Sequence, residues 1–431
     1  MSPEDILARF AATATPTPEA RAVMRLSLRD WVACGMAGVD EPVSRILRAH
    51  LAGATGPSTL IGGGSARPAE AALFNGATSH ALDYDDTHFA HIGHPSVAVI
   101  PVALALAEQT GATLDAMLDA ALIGAEASIR VGIWLGRGHY ETGFHQTATA
   151  GAFGATLAAA RLLGLEARTT RMAIGLAATR ASGLKAQFGT MGKPYNAGLA
   201  AETGVEAALL ARAGMTAAAR GLSDLQGFGP THQGTAAADA FDGLGEDWSM
   251  SSVSHKFHAC CHGLHAMLEA LAGADRIEEQ VESVTVATHP RWLRVCAIAA
   301  PKTGLEAKFS YRMTAAMALR GVDTAAISSF SDATATDPAL CAMRDRVAVL
   351  ADDGLSDMQA RVTITTASGA RIELFHDLDA QMPLAARTER IDRKTRALLG
   401  EARANALRQA TDGAALPALS ALLAGKPDYS G

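Results

Sequence analysis

What most limits the fold of this chain is helical periodicity with apolar residues on more than one face. PEARAVMRLSLRDWVACGMAG (18–38), HPSVAVIPVALALAEQTG (94–111), LDAMLDAALIGAEASIRVGIWLG (114–136), QTATAGAFGATLAAARLLGL (146–165) and GLAAETGVEAALLARAG (198–214) all repeat apolar residues at helical spacing. A helix apolar on one stripe lies at a surface. One apolar on several sides must be surrounded by others, which predicts central helices in a large bundle. The chain is 49% hydrophobic but only 5% aromatic, and Ala and Gly supply much of the difference, which suits helices packed closely.

The periodicity is helical nearly throughout from Pro3 to about Met250, with a short hairpin or loop from Ser58 to Pro68 (STLIGGGSARP). MSPEDILARFA reads as a helix capped by Ser2 with Pro3 first, and its acidity argues against a signal peptide. After about Ser252 the pattern changes. Val281–His289 alternates with period two, as does Ala360–His376 around a Ser368–Gly369 turn. SYRMTAAMALRG and DPALCAMRDRVAVL between them read as helical, and near Thr388 the chain returns to helix. The predicted class is mostly α. A helical domain spans 1–251, a smaller α+β domain 252–387, and a C-terminal helical return, 388–431, packs on the first.

A net charge of -7 without any basic run excludes nucleic acid as a partner. No apolar run reaches the roughly 20 residues that span a bilayer. The five cysteines are odd in number and follow no framework spacing, which predicts reduced thiols and a cytoplasmic protein.

Chemistry concentrates in NGATSHALDYDDTHFAHIGHPS (75–96), which holds four histidines and three aspartates. Pro95 forces His94 into extended backbone and opens a helix with His94 near its cap. The positive helix end favours the neutral imidazole, able to accept a proton. If Leu82–Thr87 forms a helical turn, Asp83, Asp86 and Thr87 share one face. Three readings stay open for this stretch: a metal site using His88, His91 and His94, a set of helix caps, or acid–base chemistry. Further along, His145 precedes a helix of small residues. Lys193 stands before Pro194 and a helix start, a plausible carboxylate seat. HKFHACCHGLH supplies Lys256, His258, His262 and His265; His258 and His262 are spaced i, i+4 for a metal, although polar residues facing a core are the commoner use of such spacing.

Together ALFNGATSHALDYDDTHFAHIGHPSVAVIPVALALAE, GFHQTATAGAFGATLAAARLLGL, GKPYNAGLAAETG, HKFHACCHGLHAMLEA and EAKFSYRMTAAMAL resemble the MmgE/PrpD family, which includes 2-methylcitrate dehydratase, cis-aconitate decarboxylase and iminodisuccinate epimerase. The resemblance implies a large helical domain, an α+β lid, a homodimer, and an active site needing neither metal nor organic cofactor. It maps the family's site onto Asp83, Thr87, His94, His145, Lys193 and Lys256. It also marks two departures from cis-aconitate decarboxylases: Met313 where they carry tyrosine, with Tyr311 two positions early, and Cys261 where they carry histidine.

The expected activity is removal or addition of a proton α to a carboxylate of a small di- or tricarboxylate. A hydro-lyase reaction leads, with epimerisation, decarboxylation or carboxylate binding without catalysis as alternatives. His94, Asp83, Thr87 and His145 are the expected catalytic residues. Lys193, Lys256, Asp86 and His91 are expected to bind substrate.

Overall fold

The computed structural model describes residues 1–273, 279–413 and 415–425. It divides into two units: residues 1–255 with 391–431, and residues 256–390.

The first unit is helical. It holds α1 (Pro3–Thr13), α2 (Pro18–Ala37), α3 (Pro42–His50), α4 (Pro68–Ser79), α5 (Pro95–Thr110), α6 (Leu114–Thr142), α7 (Gln146–Leu162), α8 (Ala167–Arg180), α9 (Gly192–Arg212) and the single turn α10 (Phe228–Thr231). A two-stranded hairpin pairs β1 (Ser58–Thr59) with β2 (Ser65–Ala66), as the Gly-rich stretch predicts. Ser2 caps α1 and Thr17 caps α2, each accepting from a backbone N–H in the first turn and each followed by proline.

Small residues set the helix spacing. A Cβ on Gly124 of α6 would lie 2.7 Å from the Gly154 carbonyl of α7, and one on Gly154 would lie 2.4 Å from the Gly124 carbonyl. Only glycine at both positions permits that approach, and α5, which is buried from Pro95 to Ala107, packs on both helices. Helical periodicity does not extend to Met250. Beyond α9, residues 213–248 are turns apart from α10, with positive φ at Gly214, Gln233, Ala236, Gly243 and Gly245. Glycine spacing there interrupts what the apolar pattern alone suggests.

The second unit is mixed. β3 (Val281–Thr288), β4 (Val347–Ala351), β5 (Gln359–Thr366) and β6 (Arg371–Asp377) form one sheet in the order β4-β3-β5-β6. β3 runs parallel to β4 and antiparallel to β5, and β5 pairs antiparallel with β6 around the predicted turn. α11 (His265–Ala272), α12 (Gly304–Ala307), α13 (Tyr311–Leu319), α14 (Asp332–Ala335) and α15 (Pro338–Arg344) complete it, with α11 and α13 packed on the sheet. β4 corrects the reading of DPALCAMRDRVAVL as helix throughout. The helix stops at Arg344, and the β-branched end Val347–Ala351 finds a parallel partner in β3.

α16 (Leu384–Leu399), α17 (Glu401–Asp412) and α18 (Leu416–Ala424) close the chain, and Leu407, Leu416, Leu419 and Leu423 enter the core of the first unit. No helix among the described residues is long and apolar enough to cross a membrane.

Candidate active site

Two histidines occupy equivalent places. His94 is the N-cap of α5 (φ -108°, ψ 99°), and His145 is the N-cap of α7 (φ -93°, ψ 99°); neither side chain makes a cap hydrogen bond. The two helix starts adjoin, because the His94 N–H donates to Thr147 Oγ1 at 3.1 Å. Both imidazoles therefore sit at positive helix ends and point away from the backbone they terminate.

The loop between α4 and α5 brings carboxylates to His94. Its residues 82–87 are not a helical turn, which corrects the expectation that Asp83, Asp86 and Thr87 share a face. Asp83 instead has φ +50°, a left-handed conformation that reverses the chain and separates the three side chains. Asp83 Oδ1 lies 3.3 Å from His94 Nε2 and 2.6 Å from Lys193 Nζ. Asp85 is fully buried and joins two rings, with Oδ1 2.8 Å from His80 Nδ1 and Oδ2 3.0 Å from His94 Nδ1.

An ionised carboxylate only accepts, so each Nδ1 that faces Asp85 carries a proton, and burial, which keeps the His94 ring neutral, leaves its Nε2 with a lone pair. The tautomer-fixing carboxylate is thus Asp85, whereas Asp83 faces the opposite nitrogen of His94. The His80 and His94 rings meet edge to face at 4.5 Å, and His80 stacks 6.2 Å from His145.

Burial dominates the electrostatics. It lowers the His94 imidazole to about 4 against the opposing pull of Asp85, with His80 and Lys193 adding to the decrease. Burial likewise takes His145 well below its ordinary value, assisted by the charge of Lys193. Burial alone would raise the Asp85 carboxyl, but His80 and His94 hold it well below the usual carboxylate range. At neutral pH the cluster therefore contains an ionised Asp85 and a neutral His94, the state of a general base.

Lys193 lies within the first turn of α9 rather than before it, and Pro194 is accommodated there because first-turn N–H groups have no helical partner. Its Nζ lies 5.5 Å from the centre of the Phe188 ring, which also packs edge-on to His145 at 5.0 Å. Asn196, one helical turn along, has Nδ2 3.4 Å from His145 Nδ1.

Other expected site residues lie elsewhere. Asp86 is buried and accepts from Ser96 Oγ at 2.5 Å and Ser96 N at 3.3 Å, so it caps α5 from the loop in place of His94. Burial and the Asp30 charge raise its carboxyl to about 7, against hydrogen bonds from Ser96 and Ser27. His91 is wholly buried, and a Cβ on Gly132 of α6 would meet its Nδ1 at 2.3 Å. Asp86 is thus engaged in capping α5, and His91 packs in the core against α6, near enough to His94 for their charges to oppose one another. Thr87 pairs through its backbone with Ser254.

Lys256 begins the second unit and is buried. There His258 binds Thr324 through Nδ1 at 2.6 Å and Glu269 through Nε2 at 3.1 Å, so its two nitrogens serve the unit's interior. Tyr311 is committed too, donating to the Gly263 carbonyl at 2.5 Å and lying 2.9 Å from Thr288 Oγ1.

Among the described residues, the donors grouped closely enough to hold a metal are not the ones that histidine spacing suggests. His80, Asp83, Asp85 and His94 each offer a ligand atom within 4.8 Å of the others. In this arrangement an ammonium already pairs with Asp83, and two imidazole nitrogens already face Asp85.

Sequence reasoning missed His80 and Asp85. No local signal marks them, because the left-handed reversal at Asp83 decides where Asp85 stands.

Comparison with known proteins agrees over most of the chain. Residues 5–240 match the MmgE/PrpD N-terminal domain, and residues 258–411 match the MmgE/PrpD C-terminal domain. A cis-aconitate decarboxylase-like protein of Aspergillus oryzae is 31% identical over 58% of this chain and 56% of its own length. Cis-aconitate decarboxylase of Aspergillus terreus is 32% identical over 56% of this chain and 53% of its own. The human cis-aconitate decarboxylase is 35% identical over 38% of this chain and 34% of its own. The chain thus spans about half the length, or less, of the curated relatives it matches.

Proposed function

This chain belongs to the MmgE/PrpD family, and from that premise we propose a cofactor-independent enzyme that moves a proton at the carbon α to a carboxylate of a small di- or tricarboxylate. The observation that carries the proposal is the buried Asp85, which holds His94 Nδ1 and leaves Nε2 facing Asp83 and the Lys193 ammonium. A neutral base beside a cation is what α-proton abstraction needs, because negative charge grows on the substrate carboxylate as the C–H bond breaks.

In the proposed reaction a substrate carboxylate displaces Asp83 from Lys193. His94 Nε2 takes the α-proton, and the C–H electron pair moves toward the carboxylate. Asp85 stabilises the resulting imidazolium. In β-elimination the electron pair then forms C=C as the β C–O bond breaks, and the imidazolium protonates the departing hydroxide. Epimerisation is the rival outcome, with a proton from solvent returned to the opposite face; the neutral His145 relays it, taking a proton at one nitrogen as it gives one from the other. Thr87 and Lys256 enter as hydrogen-bonding and carboxylate-binding residues, with residues 252–387 as a lid and the working form as a homodimer.

Decarboxylation is a second reading, favoured by the names of the relatives. Against it, the Tyr311 hydroxyl is buried on Gly263 and Thr288 and cannot serve for the tyrosine that Met313 replaces.

Incubation with hydroxy-, amino- and imino-dicarboxylates and citrate-like tricarboxylates in D2O, followed by NMR, tests all outcomes together. Loss of the α-proton together with the β-hydroxyl to give an alkene supports elimination, with deuterium entering the α position only by the reverse addition of D2O. Exchange with inversion supports epimerisation, and CO2 release supports decarboxylation. Binding without any exchange means a non-catalytic carboxylate binder. Chelation followed by metal analysis should leave turnover intact; loss restored by one divalent ion would replace this mechanism with a metal-assisted one on the His80–Asp83–Asp85–His94 donors.

A further inference from the structure

Lys394 is one of the largest fully buried side chains among the described residues, with 1% of its surface exposed, and it lies more than 300 positions from the residues it touches. Its Nζ is 2.5 Å from Asp30 Oδ1 of α2, 2.6 Å from the Tyr84 carbonyl and 3.9 Å from the centre of the Tyr84 ring. A buried ammonium needs a counter-charge, and Asp30 supplies it. The hydrogen bond to the Tyr84 carbonyl serves another end.

Tyr84 is the residue between Asp83 and Asp85, the two carboxylates at opposite nitrogens of His94. Asp83 is held at φ +50°, a strained conformation that a non-glycine residue keeps only where its surroundings impose it. The Tyr84 carbonyl belongs to the peptide group that leads into Asp85. Fixing that group from two sides, by the ammonium at the oxygen and on the ring, fixes where the Asp85 carboxylate stands. It also keeps the reversal at Asp83 from relaxing.

We propose that Lys394, from the C-terminal helix α16, is a positioning residue for the His94–Asp85 pair, acting through the Tyr84 carbonyl. The proposal rests on His94 being the base in the function proposed above. Asp30 is its electrostatic support: the carboxylate lets the ammonium remain charged in a buried place, and the charge strengthens its bond to a neutral carbonyl. A neutral side chain of equal length would pack there but would not orient the peptide.

Lys394→Met alone leaves Asp30 as a buried charge and can fail to fold, so the informative variant is Asp30→Asn with Lys394→Met, which removes both charges together. Cooperative unfolding and far-UV circular dichroism establish that it folds; Lys394→Arg, which keeps the charge but exchanges a compact ammonium for a planar fork, takes its place if it does not. Two readouts separate positioning from general support. The first is 15N NMR of the histidine rings, with the His94 signal assigned by its loss in His94→Gln. The wild type should show one tautomer with the proton on Nδ1, and the variant a mixture. The second is steady-state kinetics, where misplacing the base should lower kcat by up to about 10²-fold while KM stays within about threefold.

A folded variant with an unchanged His94 tautomer and wild-type kcat overturns the proposal, as does an equal rise in KM with kcat intact. The NMR arm uses no substrate, so it decides for or against Lys394 even where the D2O panel defeats the functional proposal.

Discussion

In the proposed role His94 meets two separable demands: the ring is neutral, and its lone pair faces the substrate. Burial meets the first and Asp85 the second. His94→Gln keeps a polar group of similar reach but cannot accept a proton as imidazole does, so kcat should fall about 10²–10⁴-fold with substrate affinity little changed. Unchanged turnover would pass the role to His145. Lys193 is tested by charge. Lys193→Met should lower kcat/KM for a dicarboxylate at least about tenfold, equivalent to about 1.4 kcal/mol, and arginine should rescue poorly. Wild-type kcat/KM in Lys193→Met would return this lysine to an ion-pair partner of Asp83 alone. Individual residues were partly legible from sequence. The sequence singles out His94, His145 and Lys193 because each stands at a helix start marked by proline or by small residues. It does not single out Asp85 and His80, since a carboxylate bridging two rings depends on backbone reversal at Asp83 that no residue type announces.

At the scale of elements, the loop between α4 and α5 works by bringing histidines out of water. Burial lowers His88 to about 4 and His91 to about 3, and it lowers His94 and His145 as well. In the unfolded chain each would titrate near 6.5. Between about pH 6.5 and 4 the unfolded state thus binds protons that the folded state does not, and stability falls as pH falls through that window. Asp86 acts in the opposite sense, because its raised folded value lets the native state hold a proton between about pH 4 and 7. One carboxyl against four imidazoles leaves the histidines in control. The melting temperature should therefore decline from pH 7 to pH 5, and a flat or rising profile would show that these rings are protonated in the native state. Helix starts and the β5–β6 hairpin were legible because capping and turn chemistry are local. β4 and the turns of 213–248 were not, because one depends on a partner strand far along the chain and the other on positive φ at scattered positions, Gln233 and Ala236 among them.

For the molecule as a whole, the decisive feature is that the chain ends where it began. Residues 391–431 belong to the same unit as residues 1–255. Leu407, Leu416, Leu419 and Leu423 from this return are buried in that unit's core. At about 1.5–3 kcal/mol for each leucine, their burial contributes about 6–12 kcal/mol. That is comparable with the about 5–15 kcal/mol by which a whole domain is stable. Charge adds to the effect. Arg29 of α2 is buried and bonds Asp392, Asp412 and Thr411, while Asp30 beside it pairs with Lys394. Deleting the return would strand an arginine and an aspartate in the interior, at about 3–5 kcal/mol for each broken buried pair. A chain cut after Arg390 should consequently be insoluble or lack a cooperative unfolding transition, although it retains His80, Asp83, Asp85, His94, His145 and Lys193. Supplying residues 391–431 as a separate polypeptide during expression should restore solubility, since the lost contacts are non-covalent. A truncated chain that unfolds cooperatively at the wild-type temperature would show that the helical unit stands without its C-terminal return, and that Lys394 is free to serve the loop alone.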